Sequence, residues 1–172
     1  RRVLFRSRGE GRAPSSPARR AVRSFLEEHA PSAPVIVAFS GGLDSCVLLH
    51  VLRWGFDPGE RFAPPVIAAH YDHAMRDGSW ADAQWAGGVC RAWGVPFVTE
   101  RSTSELASEA EARTARYAFL DRVRIDYGHH AVVLTAHHAD DQAETVLFRM
   151  LRGTGPDGLR GIHERRPGLA RP

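Results

Sequence analysis

A chain of 172 residues, 43% apolar and 25% charged, has the length and composition of one ordinary globular domain with a full core. Its apolar runs are far shorter than the roughly 18 residues a membrane span needs, and its two cysteines form no CxxC pair, which excludes a disulfide framework, a zinc knuckle and a redox dithiol and suits a reducing cytoplasm. The net charge of +3 hides a division into +6 over residues 1–20, −7 over 21–148 and +4 over 149–172, so only the C-terminal stretch hints at a nucleic-acid partner.

All 23 Lys and Arg residues are arginine. No protein lysine is therefore available for a GxxxxGK[ST] phosphate loop or a Schiff base. Residues 1–16 are rich in Arg, Ser and Pro and lack the continuous apolar stretch of a secretory signal, so they read as a disordered or extraneous extension. The domain proper is expected over 17–172. It reads as a fragment, because "RRPGLARP" stops without a closing element.

In chain order the pattern predicts a helix over 18–29, a strand over 35–39, a helix over 44–54, and a Gly/Pro-rich loop. A second strand over 66–69 leads to a helix over 79–93, and "GVPFVTE" supplies a third strand. A long helix over 108–127 carries a stripe at 106, 110, 113, 117, 120 and 124. A fourth strand over 131–136 and a helix over 140–151 follow. Four alternations of strand and helix predict an α/β fold, an open parallel sheet covered by helices on both faces in a Rossmann-like arrangement. Such sheets bind ligands beyond the carboxyl ends of their strands, where the strand order reverses. Residues 40–45, 70–76 and 137–144 all follow strands and should converge there.

Three segments carry chemistry. In "SGGLDS", Gly41 and Gly42 permit backbone torsions and close approach that a Cβ would block. The helix N-terminus behind them, with the hydroxyls of Ser40 and Ser45, makes an anion nest. Asp44 would repel a bare phosphate, and makes sense where Mg²⁺ lies between the two. The plainer alternative is a glycine turn with Ser40 and Asp44 as helix caps. The segment "AHYDHAMRD" brings His70, Asp72, His73 and Arg76 to the same rim, and "TAHHADDQAET" is the densest polar cluster of the chain. Asp141 and Glu144 stand three apart at a predicted helix start, so they face the same way and can hold a cation or accept a proton. On residue types alone, the histidines and aspartates of the last two segments could equally form a two-metal hydrolase centre. Arg113 falls on the apolar stripe of the long helix with Ala110, Tyr117 and Leu120, and so needs an anionic partner or a cleft. Arg116, one face over, has solvent exposure as its plainer reading, and the sequence leaves open which of the two belongs to the site. Cys46, Cys90 and the four tryptophans read as helix packing.

Taken together, "SGGLDS", "HYDHAMR", "EARTARY", "AHHADDQAET" and "LRGTGPDGLRGI" resemble, in order over roughly 20–165, the N-type ATP pyrophosphatases (the PP-loop superfamily) and within them the tRNA(Ile)-lysidine synthetases. "SGGLDS" alone identifies only the superfamily. The later two motifs are the more specific. The resemblance implies an ATP-dependent ligase of the cytoplasm. It adenylates the wobble cytidine of an isoleucine tRNA at its C2 oxygen, and the amine of free L-lysine then displaces AMP. It implies that Ser40, Gly41, Gly42, Leu43, Asp44, Ser45 and His70 bind ATP, and that Asp44, Arg113, Asp141 and Glu144 serve catalysis. Asp44 and Asp141 would hold Mg²⁺. The expected cofactors are thus ATP and Mg²⁺, and the partners tRNA and lysine, with no membrane and with room for a homodimer. The family's tRNA-gripping C-terminal domains have no counterpart here. A tRNA thiolase of the same superfamily is the nearest alternative, and the missing paired cysteines weigh against it. The phosphohydrolase and a non-catalytic nucleotide sensor are the remaining ones.

Overall fold

The computed structural model describes residues 16–29, 33–56, 64–103, 108–136, 165–166 and 169–170. The predicted helix over 140–151 and the cluster 137–144 lie outside them. Helix α1 (Pro17–His29) leads into strand β1 (Val35–Ala38) and helix α2 (Leu43–Trp54), followed by β2 (Val66–Asp72), α3 (Trp80–Trp93) and β3 (Phe97–Arg101). Helix α4 (Glu109–Asp126) then returns to β4 (Val132–Leu134), and two short strands, β5 (Arg165–Arg166) and β6 (Leu169–Ala170), finish the sheet. Helix α4 starts where a capping pattern puts it: Ser108 precedes the first turn and its side chain accepts the Glu111 N–H at 3.2 Å, in the sequence Ser-Glu-Ala-Glu.

The strands are ordered β3-β2-β1-β4-β6-β5. The pairs β1–β2, β1–β4, β2–β3 and β4–β6 are parallel, and only β5 runs antiparallel, at the edge. The alternation of side chains along each strand decides what each helix covers. Val35, Val37, Ala68 and Leu134 face one way, into a core completed by Val22 and Leu26 of α1, Leu48, Leu49 and Leu52 of α2, and Ala86 and Cys90 of α3. Ile36, Ile67, Ala69 and Val133 face the other way, against Phe119, Leu120 and Val123 of α4. From β1 the chain steps outward to β2 and β3 with α2 and α3 on one face. It then crosses under the other face through α4 to reach β4 on the far side of β1. Crossovers of one hand in opposite directions must place their helices on opposite faces. The strand order therefore reverses between β1 and β4.

Three expectations need correction. Strand β2 runs to Asp72, not Ala69, because its pairing with β3 continues through His70↔Thr99, Tyr71↔Glu100 and Asp72↔Arg101. His70 consequently lies in the strand rather than after it. The buried face of α4 is Ala112, Phe119, Leu120 and Val123, while Ala110 is exposed and Arg113 half-buried. An alanine-rich helix offers several stripes of similar polarity, and the sheet selects among them by packing Phe119. Finally, the C-terminal stretch does carry strands: Leu169 and Ala170 pair with Val133 and Leu134. Strands of two residues are too short for alternation to show.

Leu49 is fully buried between α2 and the sheet. Its replacement by Ala should cost about 2–5 kcal/mol, as truncation of a buried leucine does, in a urea titration followed by far-UV circular dichroism.

Candidate functional site: a glycine nest at the strand-order reversal

The loop after β1 is held by its own hydroxyls. Ser45, buried, donates to the Gly42 carbonyl at 2.9 Å. The 3.1 Å contact between the two serine hydroxyls therefore has Ser40 as donor, and Ser40 Oγ in turn accepts the Gly42 N–H at 3.2 Å. Gly42 is the N-cap of α2, so neither Ser40 nor Asp44 occupies the capping position itself, and Ser40 Oγ takes up the Gly42 N–H from two residues before it. Gly41 has φ +84°, and a Cβ there would lie 3.1 Å from a ring carbon of Trp85. The indole thus presses against the nest from α3, an adjacency that nothing in the sequence signals. Asp44, exposed in the first turn of α2, stands at the lip.

The nest opens into a cleft of about 450 Å³ over the carboxyl ends of β1, β2 and β4. Ser40, Gly42, Asp44 and Ser45 line it, joined by His70, Asp72, His73, Arg76, Ser79, Arg116 and Thr135. Of the predicted site residues, the structure brings together Ser40, Gly42, Asp44, Ser45 and His70 as lining, with Gly41 behind them. Leu43 is the first residue of α2 and largely exposed. Arg113 is not among the lining residues; its guanidinium lies 5.0 Å from the Tyr117 ring centre, whereas Arg116, 5.6 Å from the same ring, does reach the cleft. Asp141 and Glu144 lie outside the described residues.

Strand alternation sorts the far wall into two lobes. His70 and Asp72 face α2 and α3 with Ala68. Tyr71 packs toward α4, 5.6 Å from the Phe119 ring, with the His73 ring edge-on to it at 5.0 Å. Asp72 is buried and its Oδ1 accepts the Ala74 N–H at 2.9 Å, while Arg101 lies 3.5 Å from Oδ2. Burial pushes its pKa up, but the Ala74 amide, Ser79, Arg101 and His70 together outweigh burial and leave the carboxyl below its ordinary value. The bond to Ala74 also holds that residue at φ +55°, a left-handed conformation uncommon outside glycine. Burial, followed by the charge of Arg116, pushes His73 below its ordinary value. Cys46 and Cys90 are both pushed up by burial, Cys90 to about 11, as packing thiols would be.

Trp54 and Trp93 meet edge to face at 5.0 Å between α2 and α3, but Trp54 stays 46% exposed, and Trp80 and Trp85 52% and 53%. Among the described residues, no three His, Cys, Asp or Glu side chains are grouped to hold a metal, and no helix is long and apolar enough to cross a membrane. The exposed carboxylate of Asp44 at the lip is the kind of oxygen ligand a hard cation takes, and it stands at the helix N-terminus where a phosphate would lie.

Residues 14–172 match the sequence profile of the PP-loop domain. The chain belongs to the PP-loop family. Among curated relatives, the tRNA(Ile)-lysidine synthase of Gloeobacter violaceus is 40% identical over 149 residues, covering 87% of this chain and 45% of the relative. That of Thermus thermophilus is 39% identical over 159 residues, 88% of this chain and 29% of the relative. The PP-loop chain thus spans less than half the length of these relatives. Among solved structures, the U34-tRNA thiolase of Methanococcus maripaludis, described with its [4Fe-4S] cluster, superposes with a TM-score of 0.66 at 18% identity, covering 90% of this chain and 56% of that one. At that identity the likeness is one of fold.

Two outcomes test the PP-loop geometry. Gly41→Ala should destabilise the domain by about 1–2 kcal/mol, the cost of a left-handed non-glycine residue, plus the clash with Trp85. In a denaturant double-mutant cycle the penalty should shrink when Trp85 is Ala; an unchanged penalty would mean that Trp85 plays no part in it. For Asp72, a depressed folded pKa stabilises above the unfolded value of about 3.9, and that contribution is lost as pH falls through the folded pKa. The stability gap between wild type and Asp72→Asn should therefore be flat near pH 7 and close on acidification below about pH 4.

Proposed function

We propose that this domain is the nucleotide-activating part of a tRNA(Ile)-lysidine synthase. In this reading it binds ATP with Mg²⁺, adenylates the wobble cytidine of an isoleucine tRNA, and admits free L-lysine to displace AMP. The observation that carries the proposal is the position of the nest. The "SGGLDS" loop sits at the strand-order reversal, at the mouth of a cleft large enough for a nucleotide, in a chain 40% identical to a lysidine synthase over 149 residues.

In the first step the C2 oxygen of cytidine attacks the α-phosphorus of ATP. The bond from that phosphorus to the bridging oxygen breaks, and pyrophosphate leaves. The nest N–H groups hold the phosphate chain, joined by Ser40 and Ser45 once their hydroxyls turn from each other and from the Gly42 carbonyl, and receive the charge that accumulates on the leaving group. Asp44, with Asp141 as the expected second ligand, would hold Mg²⁺, which supplies charge neutralisation when bound. His70 and the cleft wall beside it hold the base. Arg116, which lines the cleft, is assigned to the activated phosphate, with Arg113, one turn earlier on α4 and outside the lining, as the alternative.

In the second step the ε-amine of lysine attacks C2, the C2–O bond to AMP breaks, and AMP departs. Lysine arrives as an ammonium, so a carboxylate must attract it and take its proton. Glu144 is assigned that role, with Asp141 beside it. The thiolase alternative gains only the shared fold. Cys46 and Cys90, raised in pKa by burial, do not resemble thiols prepared for sulfur transfer. The hydrolase alternative rests on residues outside those described. A cytoplasmic location and a homodimer remain part of the proposal.

Asp44→Asn should abolish magnesium-dependent ATP binding while the fold persists, since Asp44 is exposed; calorimetry with an unchanged Mg-ATP affinity would remove its metal role. In the full-length protein, Glu144→Gln should slow lysine transfer by about 10²–10⁴-fold and adenylation far less. Asp141→Asn should impair both steps. Following adenylated tRNA and lysidine separately decides the assignment, and equal loss of both products in Glu144→Gln contradicts it.

A further inference from the structure

His70 is the one histidine lining the cleft, among the described residues, whose tautomer a backbone contact dictates. Its ring is buried at 6% exposure, and Nδ1 stands 2.8 Å from the Phe39 carbonyl oxygen. A carbonyl only accepts, so Nδ1 carries the proton and donates. In the neutral ring the other nitrogen, Nε2, is then left with its lone pair. Nδ1 is taken up by the backbone beyond β1 and the residue lines the cleft, so Nε2 is the ring nitrogen not engaged by that contact. Phe97 from β3, with its ring centre 6.3 Å away, backs the imidazole. Period-two alternation fixes the side chain on the α2/α3 side of β2, the side to which the nest belongs.

We propose that His70 selects the nucleobase: its Nε2 lone pair accepts an N–H from an exocyclic amino group and repels a carbonyl oxygen at the same place. The inference rests on the nucleotide reading of the cleft and adds to it a rule of choice. A buried acceptor with a fixed tautomer discriminates because a keto base would set two lone pairs against each other and leave both without a donor. Both bases of the proposed reaction carry the required group, adenine in ATP and cytosine in the tRNA, so the shared chemistry is the amino edge.

Substitution can separate this role from a structural one. An Asn amide nitrogen sits close to the position of Nδ1, so His70→Asn keeps a donor for the Phe39 carbonyl and removes the cleft acceptor. A Gln amide reaches the position of Nε2, so His70→Gln keeps a group in the cleft at the expense of the Phe39 bond. Calorimetry would compare Mg-ATP with Mg-ITP, whose base carries oxygen where adenine carries the amine. Filter binding would compare anticodon stem-loop RNA with cytidine or uridine at the wobble position, in the presence of Mg-ATP. The wild type should prefer the amino base by about 10-fold or more, and His70→Asn should bring that ratio to within about 3-fold, with His70→Gln between the two. Collapse of the ATP/ITP ratio assigns the site to adenine, and collapse of the cytidine/uridine ratio alone assigns it to the target base. Both ratios surviving in His70→Asn overturns the inference, as does a larger loss in His70→Gln than in His70→Asn, which would mark the Phe39 bond as the whole role. A wild type that binds no Mg-ATP overturns the nucleotide reading itself, and the inference with it.

Discussion

The structure depends on the reversal of strand order between β1 and β4. Because the chain leaves β1 in one direction over one face and returns in the other direction over the opposite face, no helix can cover the gap between the carboxyl ends of those two strands. A crevice remains there by geometry, whatever residues surround it. The short loop from Phe39 to α2 opens directly into it. A helix N-terminus, two glycines and two serines at that point are what the proposed anion site is built from, whereas the same residues at the other end of the sheet would be a turn.

The crevice is specified by constraints that reach into the core. Ser45 is both a member of the nest and the first buried residue of α2, so the packing of Leu48 and Leu49 behind it sets where the hydroxyl lies. Trp85 closes on Gly41 from α3, and the Phe39 carbonyl fixes the ring of His70. The elements that border the nest therefore each contribute a contact that the loop's own sequence does not contain. Asp72 does the corresponding work on the far wall. Its carboxylate holds Ala74 in a left-handed conformation and so directs the chain that carries His73 and Arg76 along the cleft.

Much of this was legible from the sequence, for identifiable reasons. The alternation of apolar strands and helices pointed to the fold class. The six residues from Ser40 to Ser45 pointed to a strand-to-helix turn on the cleft rim, because paired glycines between a strand and a helix free the backbone to turn sharply there. Legibility failed where tertiary contact decides. Strand β2 looked finished at Ala69 because His70 and Asp72 are polar, yet both are buried by neighbours that periodicity cannot see. On α4 the stripe through Arg113 and the buried face through Ala112 and Phe119 are adjacent on the helix, and only the sheet chooses. The role of Trp85 is a contact between residues far apart in the chain. The short strands β5 and β6, at two residues each, carry no pattern at all.

That the β1–α2 nest receives the phosphates of a nucleotide is tested most directly by following backbone amide resonances during a titration with Mg-ATP. The amides of Gly41 to Ser45 should shift first and furthest, with Phe39 and His70 close behind, while those of α1 and the outer turns of α4 hardly move. Saturable shifts centred elsewhere, with Gly41 and Gly42 unmoved at full occupancy, would contradict it.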